Sequence, residues 1–339
     1  MRRRTGLLIV IALLLLAGGY TAFWFIVAGK IERGLGEWAE AARAQKFDAS
    51  WHGLRFSGFP FAFTIDMNDA VLRDEATDPV TEIRMPLLSA RAHPWDFRVW
   101  HLSAPQGLSA VGGPESKTAV KLSARSARGA VSAAPEGGAT IWLSLDMPRV
   151  EASAPVGARS ADFWLILPAR TPETHRESSI ALAADLHEIT LPQAPNPFRN
   201  LLDEVAFGVT VKGPIPPGPP RHAAAAWRDE GGTAELDNFT LRWGALTISG
   251  SGTLALDSDL QPVGGFSGAV EDYDELMSAL VAAGRMKPSD ARLARIGLAL
   301  LAKAGPDGRP AITAAFTIQN GEMFLGPARL GPAPKIPWD

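Results

Sequence analysis

The chain has 339 residues, of which 46% are hydrophobic and 20% charged, with a formal net charge of -3. These values exclude a disordered chain and allow a sizeable core, and they exclude the strongly basic face that nucleic-acid binding needs. Cysteine is absent, which removes disulfides, thiolate metal sites and lipoprotein-type lipidation, while Gly 33 and Pro 27 point to many turns and short strands.

The first element is an apolar helix. Between Arg4 and Lys30 lie 25 uncharged residues, including the run from Leu7 to Leu16. At about 1.5 Å per residue this exceeds the roughly 30 Å hydrocarbon core. Tyr20 and Trp24 sit toward its far end, where amphipathic rings favour the membrane interface. Arg2, Arg3 and Arg4 crowd the short N-terminal flank, whereas Lys30 and Arg33 alternate with Glu32 and Glu37, so the positive-inside rule places the N-terminus in the cytoplasm. A cleaved signal peptide is the competing reading. Against it, the apolar run is longer than a signal core of about 7–15 residues, and Tyr20-Thr21-Ala22 carries a bulky residue where cleavage wants a small one. The pattern therefore predicts residues 1–6 as cytoplasmic, 7–28 as a transmembrane helix and the rest as periplasmic, anchored once in the inner membrane.

From 29 to 46 the spacing of Ile31, Leu35, Trp38 and Ala42 predicts a helical stalk, with Trp38 a third candidate for the membrane interface. The period then changes to two. Phe59, Phe61, Phe63, Ile65 and Met67 read as one strand with a single apolar face. The same alternation returns at 141–147, 207–211, 239–243, 254–256 and 312–318, the last followed by the hairpin signal Asn320-Gly321. One-sided alternation predicts antiparallel sheets rather than a doubly wound α/β domain. The fold class expected is mainly β, α+β overall. It comprises a first β-rich half over 47–212, a Pro-rich linker at 213–220 and a second half over 221–339. Helices are expected near 272–283, with Asp272 and Glu275 resembling a capping box and Gly284 at the C′ position, and near 289–303, with Ser289 as cap, Leu293, Ile296 and Leu300 on one face and Gly305 at the end.

The search for chemistry returns no catalytic set. The six histidines lack the i, i+4 pairing of a helical zinc motif. Asp66-Met67-Asn68 begins like a calcium loop, but Ala70 and Val71 stand where the loop needs an oxygen ligand and glycine. Gly265-Phe266-Ser267-Gly268-Ala269 comes nearest to a nucleophile elbow and makes a serine hydrolase using Ser267 the remote enzymatic reading, with a Gly-rich turn as the plainer one. No cofactor is expected. Phe59, Phe61, Phe63, Trp142 and Trp243 are candidates for an apolar ligand surface, core filling being the alternative use of the same rings.

The segment from Trp51 through Ser57-Gly58-Phe59-Pro60-Phe61 resembles the signature of the bacterial family catalogued as domain of unknown function 2125. Leu241-Arg242-Trp243-Gly244, Gly252-Thr253-Leu254-Ala255-Leu256-Asp257 and Asn320-Gly321-Glu322-Met323-Phe324-Leu325-Gly326-Pro327 follow in the same order. The resemblance implies a basic N-terminus, one membrane helix, a stalk and a β-rich body, and it supplies no catalytic residue. The closing hairpin also resembles the C-termini of AsmA-type envelope proteins, which are associated with lipid transport and outer-membrane assembly. Together these features lead to an expected non-enzymatic envelope protein that binds lipid or another apolar ligand or assists envelope assembly. A membrane-tethered scaffold for protein partners is the alternative.

Overall fold

The computed structural model describes residues 2–75, 80–112, 120–152, 154–194, 198–244, 246–284, 286–304, 310–326 and 328–338. Gly305, Pro327 and the side chain of Leu300 lie outside what is described. The described residues are mainly β with four helices, and the strand pairs of both units run antiparallel. The chain divides into two compact units, Met1–Ser132 with Val150–Ser153, and Ala133–Arg149 with Ala154–Asp339.

The first unit begins with α1 (Arg2–Ala44), a single helix that runs unbroken through the segments expected as transmembrane helix and stalk. No proline interrupts it, and at about 1.5 Å per residue it is about 65 Å long, roughly twice the hydrocarbon thickness. It stops where Lys46 takes a positive φ of 64°, and Arg43 in its last turn pairs with Asp48 at 2.8 Å. β1 (Phe47–Ser57) then returns alongside the helix: Trp38 meets Phe47 at the start of the strand, and Trp24 lies beside the turn that follows its end. β2 (Phe63–Asp74) and β3 (Thr81–His93) continue the meander, with Phe63 opposite Ala92 and Asp74 opposite Thr81.

β3 splits the sheet. Its opening stretch pairs with β5 (Leu108–Gly112) through Glu82 to Arg84, and its closing stretch pairs with β4 (Asp96–Ala104) from Ser89. Pro86 stands between the two stretches and has no N–H to give a ladder, which is where a pairing partner can change. β6 (Val120–Ala124) pairs with β5, and β7 (Ser126–Ala133) with β4. Among the described residues, Phe63 and Ile65 are the largest fully buried side chains.

The short strands β9 (Arg149–Glu151) and β10 (Val156–Gly157) follow β8 (Ala139–Asp146). In the second unit ten described strands form one meander: β8, β11 (Ser160–Leu167), β12 (Ser178–Thr190), β13 (Leu201–Lys212), β14 (Thr233–Trp243), β15 (Leu246–Leu256), β16 (Pro262–Glu271), β18 (Pro310–Gln319), β19 (Glu322–Leu325) and β20 (Ala328–Pro332). The two-residue β17 (Lys303–Ala304) pairs with the start of β18. Asn320 and Gly321, both at positive φ, close the hairpin that their sequence announced.

Several local expectations are corrected. The Pro-rich 213–220 segment is not a boundary between β halves; β13 before it and β14 after it pair directly, and the division falls at 132–133 instead. That segment runs into α2 (Pro220–Asp229), a helix that periodicity did not announce, built on four consecutive alanines with proline at its first turn. α3 (Tyr273–Ala282) and α4 (Pro288–Leu301) fall where helices were expected. Their caps differ: Asp272 is left-handed and its side chain makes no capping bond, while Lys287 is the N-cap of α4 and Ser289 lies inside its first turn, bonded to Asp290.

The glycine-rich 262–271 segment is a strand rather than a turn, because its neighbours provide what its own side chains lack. The Phe266 ring lies over Gly252 so closely that a Cβ there would meet Cδ1 at 2.3 Å, and it packs against Phe316 at 5.8 Å. Gly252→Ala is therefore expected to cost about 1–3 kcal/mol by overpacking, measured as a fall in denaturant midpoint at constant slope. An unchanged midpoint would mean that the Phe266 ring and the β16 backbone at Gly265, 2.6 Å from the same Cβ, both give way freely.

Candidate functional site: an aromatic junction and an apolar sheet face

Two places concentrate apolar chemistry, one in each unit. In the first unit the turn 58–62, between β1 and β2, lies against α1. Phe59 and Phe61 therefore do not belong to the strand of Phe63, Ile65 and Met67, as the alternation suggested; β1 ends at Ser57 and β2 begins at Phe63. Gly58 permits the turn, with φ +97° and room for a Cβ only 2.7 Å from the Ala62 carbonyl oxygen. Its own carbonyl accepts from the backbone N–H groups of Phe61 and Ala62, and the Phe59–Pro60 bond is cis.

α1 supplies the opposite side of the junction. Trp24 is 3% exposed, stacks on Phe63 with ring centroids 5.0 Å apart and planes 9° apart, and meets the edge of Phe59 at 5.7 Å. Its indole N–H donates to the Ala62 carbonyl at 3.1 Å, and the Tyr20 hydroxyl donates to the Pro60 carbonyl. The two rings expected at the interface thus find their hydrogen-bond acceptors in the turn, because a largely buried indole or phenol needs an acceptor and the turn presents two carbonyls. Trp38 lies about 21 Å further along the helix than Trp24 and packs against Phe47, away from the level of Tyr20.

The turn between β3 and β4 reaches the same place. His93 Nδ1 is 3.1 Å from the Phe61 carbonyl oxygen, Trp95 stacks on His93 at 4.9 Å, and Phe97 packs on Phe63 at 5.4 Å. Asp96 accepts from the backbone N–H of Arg98 and from its Nε, and these bonds hold its carboxyl below the usual carboxylate range. Trp95 and Phe97 were not foreseen as belonging to a site; the only signal was the turn-forming His93-Pro94-Trp95-Asp96 itself.

In the second unit, register sorts the side chains by face. Leu143, Phe163, Ala184, Phe207 and Phe239 lie directly across from one another, as do Ile141, Leu165, Leu182, Val209, Leu236, Gly252, Phe266 and Phe316. An extra residue, Asp237, bulges out of β14 and so keeps Leu236 on the side of Phe239. The other face carries the pairs Glu204–Arg242 and Lys212–Glu235 and a row containing Asp162, Ser144, Asp185, Thr240, Ser249 and Thr313, and at the β8–β11 end it also carries Trp142, Trp164 and Ile166. In the two apolar rows, Leu143 and Leu182 are 37% and 41% exposed and the large side chains between them are half-buried. α2 seats on one end of this face through Trp227, which packs on Leu256 and Leu260 with Val211. At the other end Ala279 of α3 and Trp243 help to line an open pocket of 660 Å³, which also includes Phe198, Arg199 and Asp203. Trp243 stacks on Phe198 at 4.5 Å and donates its N–H to the Arg199 carbonyl at 2.8 Å.

The five aromatic candidates therefore do not form one surface. Phe59, Phe61 and Phe63 belong to the junction, Trp243 to the apolar face of the second unit, and Trp142, paired with Trp164, to the opposite face. Ser267 lies in the middle of β16 between Ser251 and Ala315 on the polar side, so the strained strand-to-helix turn of a nucleophile elbow is not formed. Among the described residues no three His, Asp or Glu side chains come together as a metal site.

The sequence profile of the family described as "Uncharacterized protein conserved in bacteria (DUF2125)" matches residues 24–334. The chain belongs to this family. No curated protein and no solved structure matches it. The DUF2125 match begins at Trp24, the residue stacked on Phe63, and so takes in the C-terminal stretch of α1, the 58–62 turn and the meander of the second unit.

Proposed function

We propose that this DUF2125 chain is a single-pass envelope protein, N-terminus in the cytoplasm and both β units outside it, that holds a lipid-like apolar molecule on the open face of its second unit and catalyses no reaction. The observation that carries the reading is the one-sidedness of that ten-stranded meander. The longer of its two central apolar rows, from Ile141 to Phe316, crosses eight strands spaced about 4.8 Å apart, roughly 34 Å, and Leu143 and Leu182 within the two rows are more than a third exposed. A sheet with this much half-exposed apolar area, beside a reverse face that is polar over its central strands, has a use for it. An extended apolar ligand removes that area from water, at about 25 cal/mol per Å², and the pocket at Trp243 adds Arg199 and Asp203 for a polar end. The topology rests on α1, whose stretch Val10–Ala44 is long and apolar enough to cross a membrane, and on the Arg2-Arg3-Arg4 flank.

Native mass spectrometry of the full chain, released from its membrane in a mild detergent, tests the ligand. Retained lipid that survives removal of the detergent is the expected result. A chain that sheds all lipid while a protein partner stays bound would replace this reading with that of a tethered scaffold.

A further inference from the structure

We infer that the first unit carries a second membrane contact of its own: the two turns at 58–62 and 93–96 insert their exposed aromatic side chains into the outer leaflet beside α1. The inference rests on the reading that α1 spans the bilayer, and is independent of any ligand on the second unit.

Depth follows from the helix. Spanning the hydrocarbon takes about 20 residues, and the first uncharged residue after Arg4 is Thr5, so the far boundary falls near Trp24. Tyr20 and Trp24 are the residues bound to the 58–62 turn, through the carbonyls of Pro60 and Ala62. That turn is thereby held at the depth of the outer leaflet rather than above it. What it shows to its surroundings suits that depth. Phe59 is 47% exposed, Phe61 68% and Trp95 69%, whereas Phe63, one strand position inside, is fully buried. In water such a group of exposed rings is a liability; against acyl chains and headgroups it is favourable, at about 1.5–3 kcal/mol for each ring fully buried. The apolar surface is also continuous with that of the helix, since Phe25 touches Phe59 at 6.3 Å and is itself 62% exposed. Four backbone carbonyls of the 58–62 turn are engaged, which favours insertion: the Phe61 carbonyl faces His93, those of Pro60 and Ala62 face α1, and the Gly58 carbonyl closes the turn. The contact would fix how the first unit stands on the bilayer, which a lone helix free to rotate would not.

The absence of cysteine makes the test direct. Phe61→Cys, Trp95→Cys, Leu14→Cys and Val111→Cys, each in the full chain, are labelled with a polarity-sensitive fluorophore and reconstituted into phosphatidylcholine–phosphatidylglycerol liposomes that contain lipid with a nitroxide near the headgroup. Leu14 reports on the helix. Val111 pairs with Glu82, at the end of β3 far from the turns, and is the aqueous control. Roughly two-fold or greater quenching at 61 and 95, with none at 111, is expected for rings seated within about 5–10 Å of the headgroup boundary. A probe at 14 that responds to the bilayer while those at 61 and 95 stay aqueous overturns the inference alone. A probe at 14 that also stays aqueous overturns it together with the membrane-spanning reading.

Discussion

Replacing Trp24 by alanine is expected to destabilise the first unit by about 3–5 kcal/mol, the largest single-residue effect anticipated in this chain. The indole is almost fully buried between a helix and a β turn, so truncation leaves a cavity against Phe63 and Phe59 and an unpaired Ala62 carbonyl. Trp24→Phe keeps the stacking and loses only the hydrogen bond, and its expected cost is about 1–3 kcal/mol. Denaturant unfolding of the full chain in phospholipid nanodiscs measures both. Equal stability of Trp24→Ala and the parent would show that the helix and the sheet do not hold each other through this residue. A decoupled helix would still anchor the chain, so loss of stability with unchanged membrane retention separates the junction from the anchor.

The second large effect concerns ligand retention rather than stability. Leu143→Asp combined with Leu182→Asp places two carboxylates on the open apolar face, at positions already 37% and 41% exposed. The fold should lose only about 0.5 kcal/mol for each, as for other surface changes. Bound lipid should fall at least about tenfold, the equivalent of 1.4 kcal/mol, because an acyl chain lying across these strands would have to desolvate the new charges. Trp164→Asp with Ile166→Asp changes β11, the strand between β8 and β12, on its opposite face and should leave lipid retention as it was. If both pairs of substitutions act alike, or neither acts, the apolar face is not where lipid binds.

Much of this architecture was legible in the chain. The apolar run after Arg4 and the helical spacing beyond it foretold α1, and the alternation at 312–318 with Asn320-Gly321 foretold β18 and its hairpin, because both signals are local and strong. Strands such as β7, with sequence SARGAVSA, or the glycine-rich β16 were illegible. Their side chains are too small to declare a face, and their pairing depends on what their neighbours put across them. The site divides in the same way. Tyr20 and Trp24 were marked by position in an apolar helix, and Phe59 and Phe61 by their composition, but alternation alone placed those phenylalanines on a strand. Trp95 reaches the junction only because β3 returns to it from Thr81, a long-range placement that no local spacing encodes.

The sequence by itself determined that this protein has one apolar helix, a β-rich body with one-sided strands and no recognisable catalytic set. Hydropathy and periodicity are properties of consecutive residues, and they survive without a fold. Tertiary structure alone decided that α1 and the sheet are locked together at Trp24 and that the two turns bring their exposed rings to the same junction. It also decided that two apolar rows, the longer across eight strands, fall on one face while Trp142, Trp164 and Ile166 fall on the other. Each of these depends on register and on which segments return to meet, and a shift of one residue in any strand would have turned its side chains to the opposite side.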